Sequence, residues 1–256
     1  VGPVSDADAT ADQVAENAAN GSAVGITATA IDPDVLDTVS YTLSDDAGGR
    51  FQIDIATGVV TVADGSLLNR EAAASHQITV VATSTDGSTT TRDFTINLLD
   101  IDEFDVGAIG DGNAAANEVS ENAANGSAVG ITAQASDADA TTNAITYSLD
   151  DDAGGRFTID AGTGVVTVAN GSALDREASA SHAITVLATS ADGSTSSQSF
   201  TINLLDVNDN IPVITSHGGG ATGTAVVSEN TALVGLVTAS DADGDALVYS
   251  IVGGAD

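Results

Sequence analysis

Cysteine, methionine and tryptophan are missing from this 256-residue chain, and its only basic side chains besides three histidines are five arginines. Without cysteine no disulfide framework can form, which fits a secreted protein held together by metal and fits a cytosolic protein equally. Against 37 acids the arginines leave a net charge of −32. DNA, RNA and anionic lipid are therefore excluded as partners, because phosphate needs basic clusters to neutralise it. Aromatics are scarce, with three tyrosines and five phenylalanines. No apolar run approaches the ~20 residues of a membrane-spanning helix. The N-terminus lacks the charged-then-apolar pattern of a secretion signal, so no direct membrane insertion is expected of this segment.

What is present is repetition. Glu16 to Ala28 reads ENAANGSAVGITA, and Glu121 to Ala133 reads the same; DDAGGRF recurs at Asp45 and Asp151, and TGVVTVA at Thr57 and Thr163. The offset is 105 residues at Glu121 and 106 at Asp151, placing a one-residue insertion near Thr141. A third copy opens at Val226-Val227-Ser228-Glu229-Asn230. The domains read as 1–104, 105–210 and a partial third copy over 211–256, an excerpt from a longer array.

Within a repeat, the segments Ala23–Ala30, Thr38–Leu43, Phe51–Ile55, Val59–Val62, His76–Thr83 and Phe94–Leu99 are rich in Val, Ile and Thr. Asn-Gly, Asp-Gly, Gly-Gly and Thr-Gly turn signals separate them, and no sustained helical period appears. The fold class is all-β: tandem Greek-key β-sandwiches in an elongated array. Tyr41, Phe51 and Phe94, with their partners Tyr147, Phe157 and Phe200, are candidate core residues.

A chain this acidic repels itself unless counter-ions bind. Acids recur in four places per repeat: Glu16-Asn17, Glu121-Asn122 and Glu229-Asn230 near the start; Asp32-Pro33-Asp34, Asp137-Ala138-Asp139 and Asp241-Ala242-Asp243 after the second strand; Asn69-Arg70-Glu71 and Asp175-Arg176-Glu177 past the middle; Asp100-Ile101-Asp102-Glu103 and Asp206-Val207-Asn208-Asp209-Asn210 at the end. The last strip alternates oxygen-bearing side chains in an extended segment, so it offers ligands on two sides. Such a concentration of hard oxygen donors suits Ca²⁺, which takes six to eight of them. An Asp-x-Asp pair alone is common; four elements in fixed order, twice over, are specific. A general acidic surface, as in halophilic proteins, accounts for the remaining acids.

The segments LDRE (Leu174 to Glu177), SDAD (Ser136 and Ser240) and DVNDNIP (Asp206 to Pro212) resemble the signature motifs of the cadherin repeat. The likeness spans essentially the whole chain. It implies three Ca²⁺ ions at each junction of two repeats, held at the second junction by Glu121, Asp175, Glu177, Asp206, Asn208, Asp209, Asp241 and Asp243. Carbonyls of Val207 and Asn210 would complete that set. At the first junction it implies Glu16, Glu71, Asp100, Asp102, Glu103, Asp137 and Asp139, together with Ile101. Several positions depart from the family pattern. Asn69 replaces an acid and Glu103 is longer than the usual Asp, so the first junction is expected to be the poorer. Ser84 and Ser190 stand where the family has an acid; either Asp86 and Asp192 substitute or the outermost ion is lost. With no tryptophan and no swapping strand, strand-exchange adhesion is not supported, and the Ala/Thr/Asp/Gly-rich composition resembles bacterial cadherin-like repeats of large surface adhesins.

The resemblance implies an extracellular or cell-surface extender or adhesion segment, stiffened by Ca²⁺, with other adhesin copies or surface polysaccharide as partners. A Ca²⁺-dependent polysaccharide-binding module is the rival reading, and the scarcity of aromatics argues against it. Catalysis is not expected, because the acids recur per repeat and no second signature marks a cleft. Asp45-Asp46 and Asp151-Asp152 read as polar turns, His76 and His182 as strand-edge side chains, and Arg70 and Arg176 as partners for spare carboxylates. The Asn-Gly-Ser triplets at Asn20, Asn125 and Asn170 match a glycosylation sequon but read as Asn-Gly turns.

Overall fold

Alternation of inward apolar and outward polar side chains builds each sandwich. A computed structural model describes residues 1–34 and 36–253. The first repeat carries β1 (Ser5–Asp6), β2 (Gln13–Ala15), β3 (Ala23–Thr29), β4 (Val39–Asp45), β5 (Phe51–Ile53), β6 (Val59–Val62), β7 (Ser75–Ser84) and β8 (Thr89–Leu99). Along β3 the residues Val24, Ile26 and Ala28 are buried while their neighbours are not, the period-2 signature of a strand with one face on a core. Four-stranded sheets in the orders β1-β3-β6-β5 and β2-β8-β7-β4 enclose that core. Strands β1 to β5 alternate between the two sheets, while β5-β6 and β7-β8 are hairpins within one sheet, an arrangement of the Greek-key sandwich type.

The second repeat repeats the plan. Its strands β9 (Gly110–Asp111), β10 (Glu118–Ser120), β11 (Ala128–Gln134), β12 (Ile145–Asp151), β13 (Phe157–Ile159), β14 (Val165–Val168), β15 (Ser181–Ser190) and β16 (Thr195–Leu205) pair as β9-β11-β14-β13 and β10-β16-β15-β12. Beyond them, β17 (Val213–Ile214) pairs antiparallel with β18 (Ala239–Ser240). By contacts the residues form two compact units: Val1–Val106 with Ser136–Ala144 and Ser190–Ser194, and Gly107–Ala135, Ile145–Thr189 and the chain from Thr195 onward.

The paired cores are lined by Ile78, Val80, Ile96 and Leu98 in one repeat and by Ile184, Val186, Ile202 and Leu204 in the other. Phe51 and Phe157 are each 2% exposed, and Leu68 and Leu174 are fully buried. Tyr147 and Phe200 are only half-buried, unlike their counterparts Tyr41 (7%) and Phe94 (5%). For Phe94 the difference has a visible source: the Arg92 guanidinium lies 4.9 Å from its ring centroid, and Gln198 takes that arginine's place in the second repeat.

Short strands β2 and β10 run parallel to β8 and β16 at the sheet edges. Each leads directly into the buried glutamate of its repeat, where Glu16 N–H donates to Leu99 O (3.0 Å) and Glu121 N–H to Leu205 O (3.0 Å). A 3₁₀ turn at Gly65–Leu67, repeated at Gly171–Ala173, delivers the chain to the Asn69 and Asp175 segments. These glycines are obligatory: a Cβ on Gly65 would sit 1.8 Å from Ala18 O, and one on Gly171 1.7 Å from Ala123 O.

Candidate metal centres

Glu16 organises the first centre. It is fully buried, and its carboxylate accepts hydrogen bonds from Arg70 N–H (2.6 Å at Oε2) and Ile101 N–H (3.0 Å at Oε1). One carboxylate thus ties the middle acidic segment to the terminal strip. Carboxylate oxygens of Glu16, Glu71 and Glu103 lie within 4.8 Å of one another. Burial pushes Glu71 above the usual carboxylate range, with Glu16 adding like-charge repulsion; Glu103 is raised by burial first and then by Glu16 and Glu71.

A second group in the same unit joins Asp102, Asp139 and Asp192, again within 4.8 Å. Asp139 is fully buried, and its oxygens accept from Glu103 N–H (3.2 Å) and Phe104 N–H (3.2 Å). Asp102 is raised by burial and then by its aspartate neighbours. Asp137 receives Asp139 N–H at 3.1 Å. Asp100 is held by the Thr141 hydroxyl, which lowers its carboxyl. Ile101 contributes through its backbone, its side chain being 42% exposed. Asn69 Oδ1 accepts from Ala72 N–H (2.6 Å), closing a local turn, as Asp175 does with Ala178 N–H (2.8 Å).

The second centre lies within the other unit and has the same frame. Glu121, 2% exposed, accepts from Arg176 N–H (2.7 Å) and Val207 N–H (2.8 Å). Its carboxylate groups with those of Glu177 and Asp206, and Glu177 also groups with Asp209 and Asp243. Burial raises Glu177, with Glu121 next. A cleft of about 220 Å³ is lined by Glu121, Asn122, Ser172, Asp175, Glu177, Asp209 and Asn210. Asn210 holds Asp243 through backbone N–H (2.8 Å) and Nδ2 (2.8 Å). Asn208 reaches Asp245 instead, and Asp241 accepts Asp243 N–H at 3.0 Å without joining a carboxylate group.

Arg176 pairs with a carboxylate, Asp206 at 3.3 Å, whereas Arg70 pairs with none among the described residues. Its Nη1 donates to Leu98 O at 2.6 Å, as Arg176 Nε does to Leu204 O at 3.1 Å, and Asp100 Oδ2 accepts from the Thr141 hydroxyl. One participant, Asp192, was read from sequence only as an alternative donor, and two others, Thr141 and Asp245, were not read at all. Asp192 comes from the turn joining β15 and β16, so a substitute donor two residues past Ser190 does reach the Asp139 group. Ser190 itself is buried and donates to Thr142 O (2.9 Å). Thr141 and Asp245 act on linker side chains, which no motif in the sequence signals. A further group, Asp32, Asp37 and Asp86, lies in the first unit.

The donor set fits a hard cation. Every donor is a carboxylate, amide or carbonyl oxygen. Among the described residues, both Glu71 oxygens, Asp100 Oδ1 and Asp137 Oδ2 are buried without a hydrogen-bond partner. An ionised carboxylate oxygen shielded from water without a donor is unfavourable, and a divalent ion would supply the match.

Residues 11–99 and 116–205 match the family model described as Cadherin domain. The chain belongs to the cadherin family, whose domains are adhesion modules. Human Protocadherin Fat 1 is 32% identical over 248 residues, covering 90% of this chain and 5% of that protein. Human Cadherin-related family member 2 is 43% identical over 98 residues, 38% of this chain and 8% of that protein. The chain therefore spans a small fraction of either relative. Among solved structures, mouse Cadherin-23 EC22-24 matches with a TM-score of 0.64 and 26% identity, covering 90% of this chain and 74% of that one. The Protocadherin GammaB4 extracellular domain matches in fold with a TM-score of 0.67 and 24% identity over 91% of this chain and 37% of that one.

Proposed function

We propose that this chain is a Ca²⁺-stiffened extender or adhesion segment of an extracellular protein, organised as two full cadherin repeats (1–104 and 105–210) and part of a third (211–256). The observation that carries this reading is the set of buried carboxylate oxygens with no donor at Glu71, Asp100 and Asp137. When bound, Ca²⁺ supplies the charge neutralisation that the chain's five arginines cannot. Glu16 and Glu121 act as the inner fasteners, each bridging two backbone segments. Glu71, Asp100, Asp102, Glu103, Asp137, Asp139 and Asp192 are assigned to the first centre. Glu121, Asp175, Glu177, Asp206, Asp209, Asn210 and Asp243 are assigned to the second, with the carbonyl of Val207, and with Asn208 and Asp241 at its margin.

Sites of this extracellular class hold Ca²⁺ with dissociation constants of roughly 10⁻⁴ to 10⁻³ M. The role is mechanical and not enzymatic, with other copies of the same protein as the partner class. Placement among bacterial adhesins rests on composition, since the relatives named above are animal proteins. Calorimetric titration of the chelator-treated chain tests the reading. Heat of binding in the sub-millimolar to millimolar range, lost in a Glu71→Gln, Glu177→Gln double variant, is expected. Absence of binding at millimolar Ca²⁺ overturns it.

A further inference from the structure

Two substitutions mark the first centre as the poorer in the sequence, Asn69 for an acid and Glu103 for an aspartate, and the geometry removes both grounds. Asn69 and its counterpart Asp175 do the same local job: each side-chain oxygen accepts an N–H three residues on, from Ala72 (2.6 Å) and from Ala178 (2.8 Å). Asp175 joins no group of carboxylates among the described residues, so an amide in its place forfeits little. Glu103 is long enough to reach the inner acids, and its carboxylate lies within 4.8 Å of those of Glu16 and Glu71.

What separates the two centres is how far each satisfies its own carboxylates. In the first, both Glu71 oxygens, Asp100 Oδ1 and Asp137 Oδ2 are shielded from water and meet no donor among the described residues. Position 104 is a phenylalanine, whose side chain has no polar atom. At the corresponding place in the second centre, Asn210 Nδ2 donates to Asp209 (2.8 Å), to Asp243 (2.8 Å) and at longer range to Glu177 (3.4 Å). Arg176 adds an ion pair to Asp206 at 3.3 Å. Glu177, Asp206 and Asp209 are also exposed, whereas Glu71 and Asp100 are half-buried and Asp139 is fully buried. The terminal strips differ in charge as well. Asp102 groups with Asp139 and Asp192, while its counterpart is the neutral Asn208, which reaches Asp245.

A divalent ion gains most where it neutralises charge that protein and water leave unmatched. It gains least where hydrogen bonds and an ion pair must first be given up. We propose that calcium fills the two centres in order, the first (Glu16, Glu71, Asp102, Glu103 and Asp139) at a lower concentration than the second. Resting on the calcium reading above, this order adds a regulatory consequence to it. Between the two half-saturation points lies a range of calcium concentration in which only the first centre is loaded. The chain therefore responds to calcium in two steps and not at one threshold.

Backbone N–H groups already bonded to site carboxylates report each centre separately. Those of Ile101, Glu103 and Phe104 donate to Glu16 and Asp139 in the first. Those of Val207 and Asn210 donate to Glu121 and Asp243 in the second. The isotope-labelled, chelator-treated chain is titrated with calcium chloride, and these amide signals are followed by two-dimensional NMR. The expected result is half-saturation of the first set at several-fold lower free calcium than the second. Coincident midpoints, or a second set that moves first, overturn the order and leave calcium binding standing. Signals that stay in place at millimolar calcium overturn both.

Discussion

Glu71 combines two costs that act in the same direction. Its oxygens are buried without donors, and the Glu16 carboxylate lies within 4.8 Å. Removing its charge should therefore have opposite effects with and without metal. Glu71→Gln is expected to weaken Ca²⁺ binding by at least about tenfold, ~1.4 kcal/mol. In chelator the same variant should melt higher than the parent chain, because it relieves like-charge repulsion. Calorimetry and thermal melting check the two signs. His76 and His182 give a separate residue-level test. Each ring packs tilted against a phenylalanine, at 6.3 Å for Phe51 and 6.2 Å for Phe157, with Nε2 buried and without a partner among the described residues. Burial, aided by Arg50 and Arg156, holds both imidazoles below their ordinary value. The unfolded chain thus binds more protons as pH falls through 6.5, so this contribution to stability is present above that pH and lost below it. A His76→Gln, His182→Gln variant should lose stability less steeply on acidification, measured by melting in chelator across that window.

At the scale of elements, the 3₁₀ turns couple core to site. Asp64 caps the first turn, and Asp64→Ala should cost about 0.5–2 kcal/mol. Leu174 is fully buried and immediately precedes Asp175; Leu174→Ala should cost roughly 2–5 kcal/mol and weaken Ca²⁺ binding with it. Denaturant melts of both variants, with and without Ca²⁺, separate the capping effect from the packing effect. Legibility in the sequence followed the same scale. Strands β3 and β6 were readable because apolar alternation fills their whole length. Strands β1 and β2 were not, since two or three residues carry no period, and Gln13–Ala15 is a strand only because β8 pairs with it. Likewise β8 begins at Thr89, five residues before the apolar segment, because β7 supplies its register. The acidic groups were legible where motif order fixes them. Asp192 was legible only as one of two alternatives, and Thr141 and Asp245 not at all, because their roles depend on which loop a hairpin brings near which linker.

Across the whole molecule, a net charge of −32 makes the metal-free state the one that salt rescues. Screening acts over about 10 Å at 0.1 M ionic strength. Added NaCl should raise the melting temperature in chelator and raise it much less with Ca²⁺ present. At a hundredfold excess over the dissociation constant, each independent Ca²⁺ site adds about 2.7 kcal/mol to the folded state. The most direct measurement of the central claim is small-angle X-ray scattering of one sample in millimolar Ca²⁺ and then in excess chelator. Calcium neutralising the Glu16 and Glu121 centres predicts a narrow, well-defined distance distribution with the metal and a broader one without it. Superimposable curves, with Ca²⁺ binding verified on the same sample, would contradict the account.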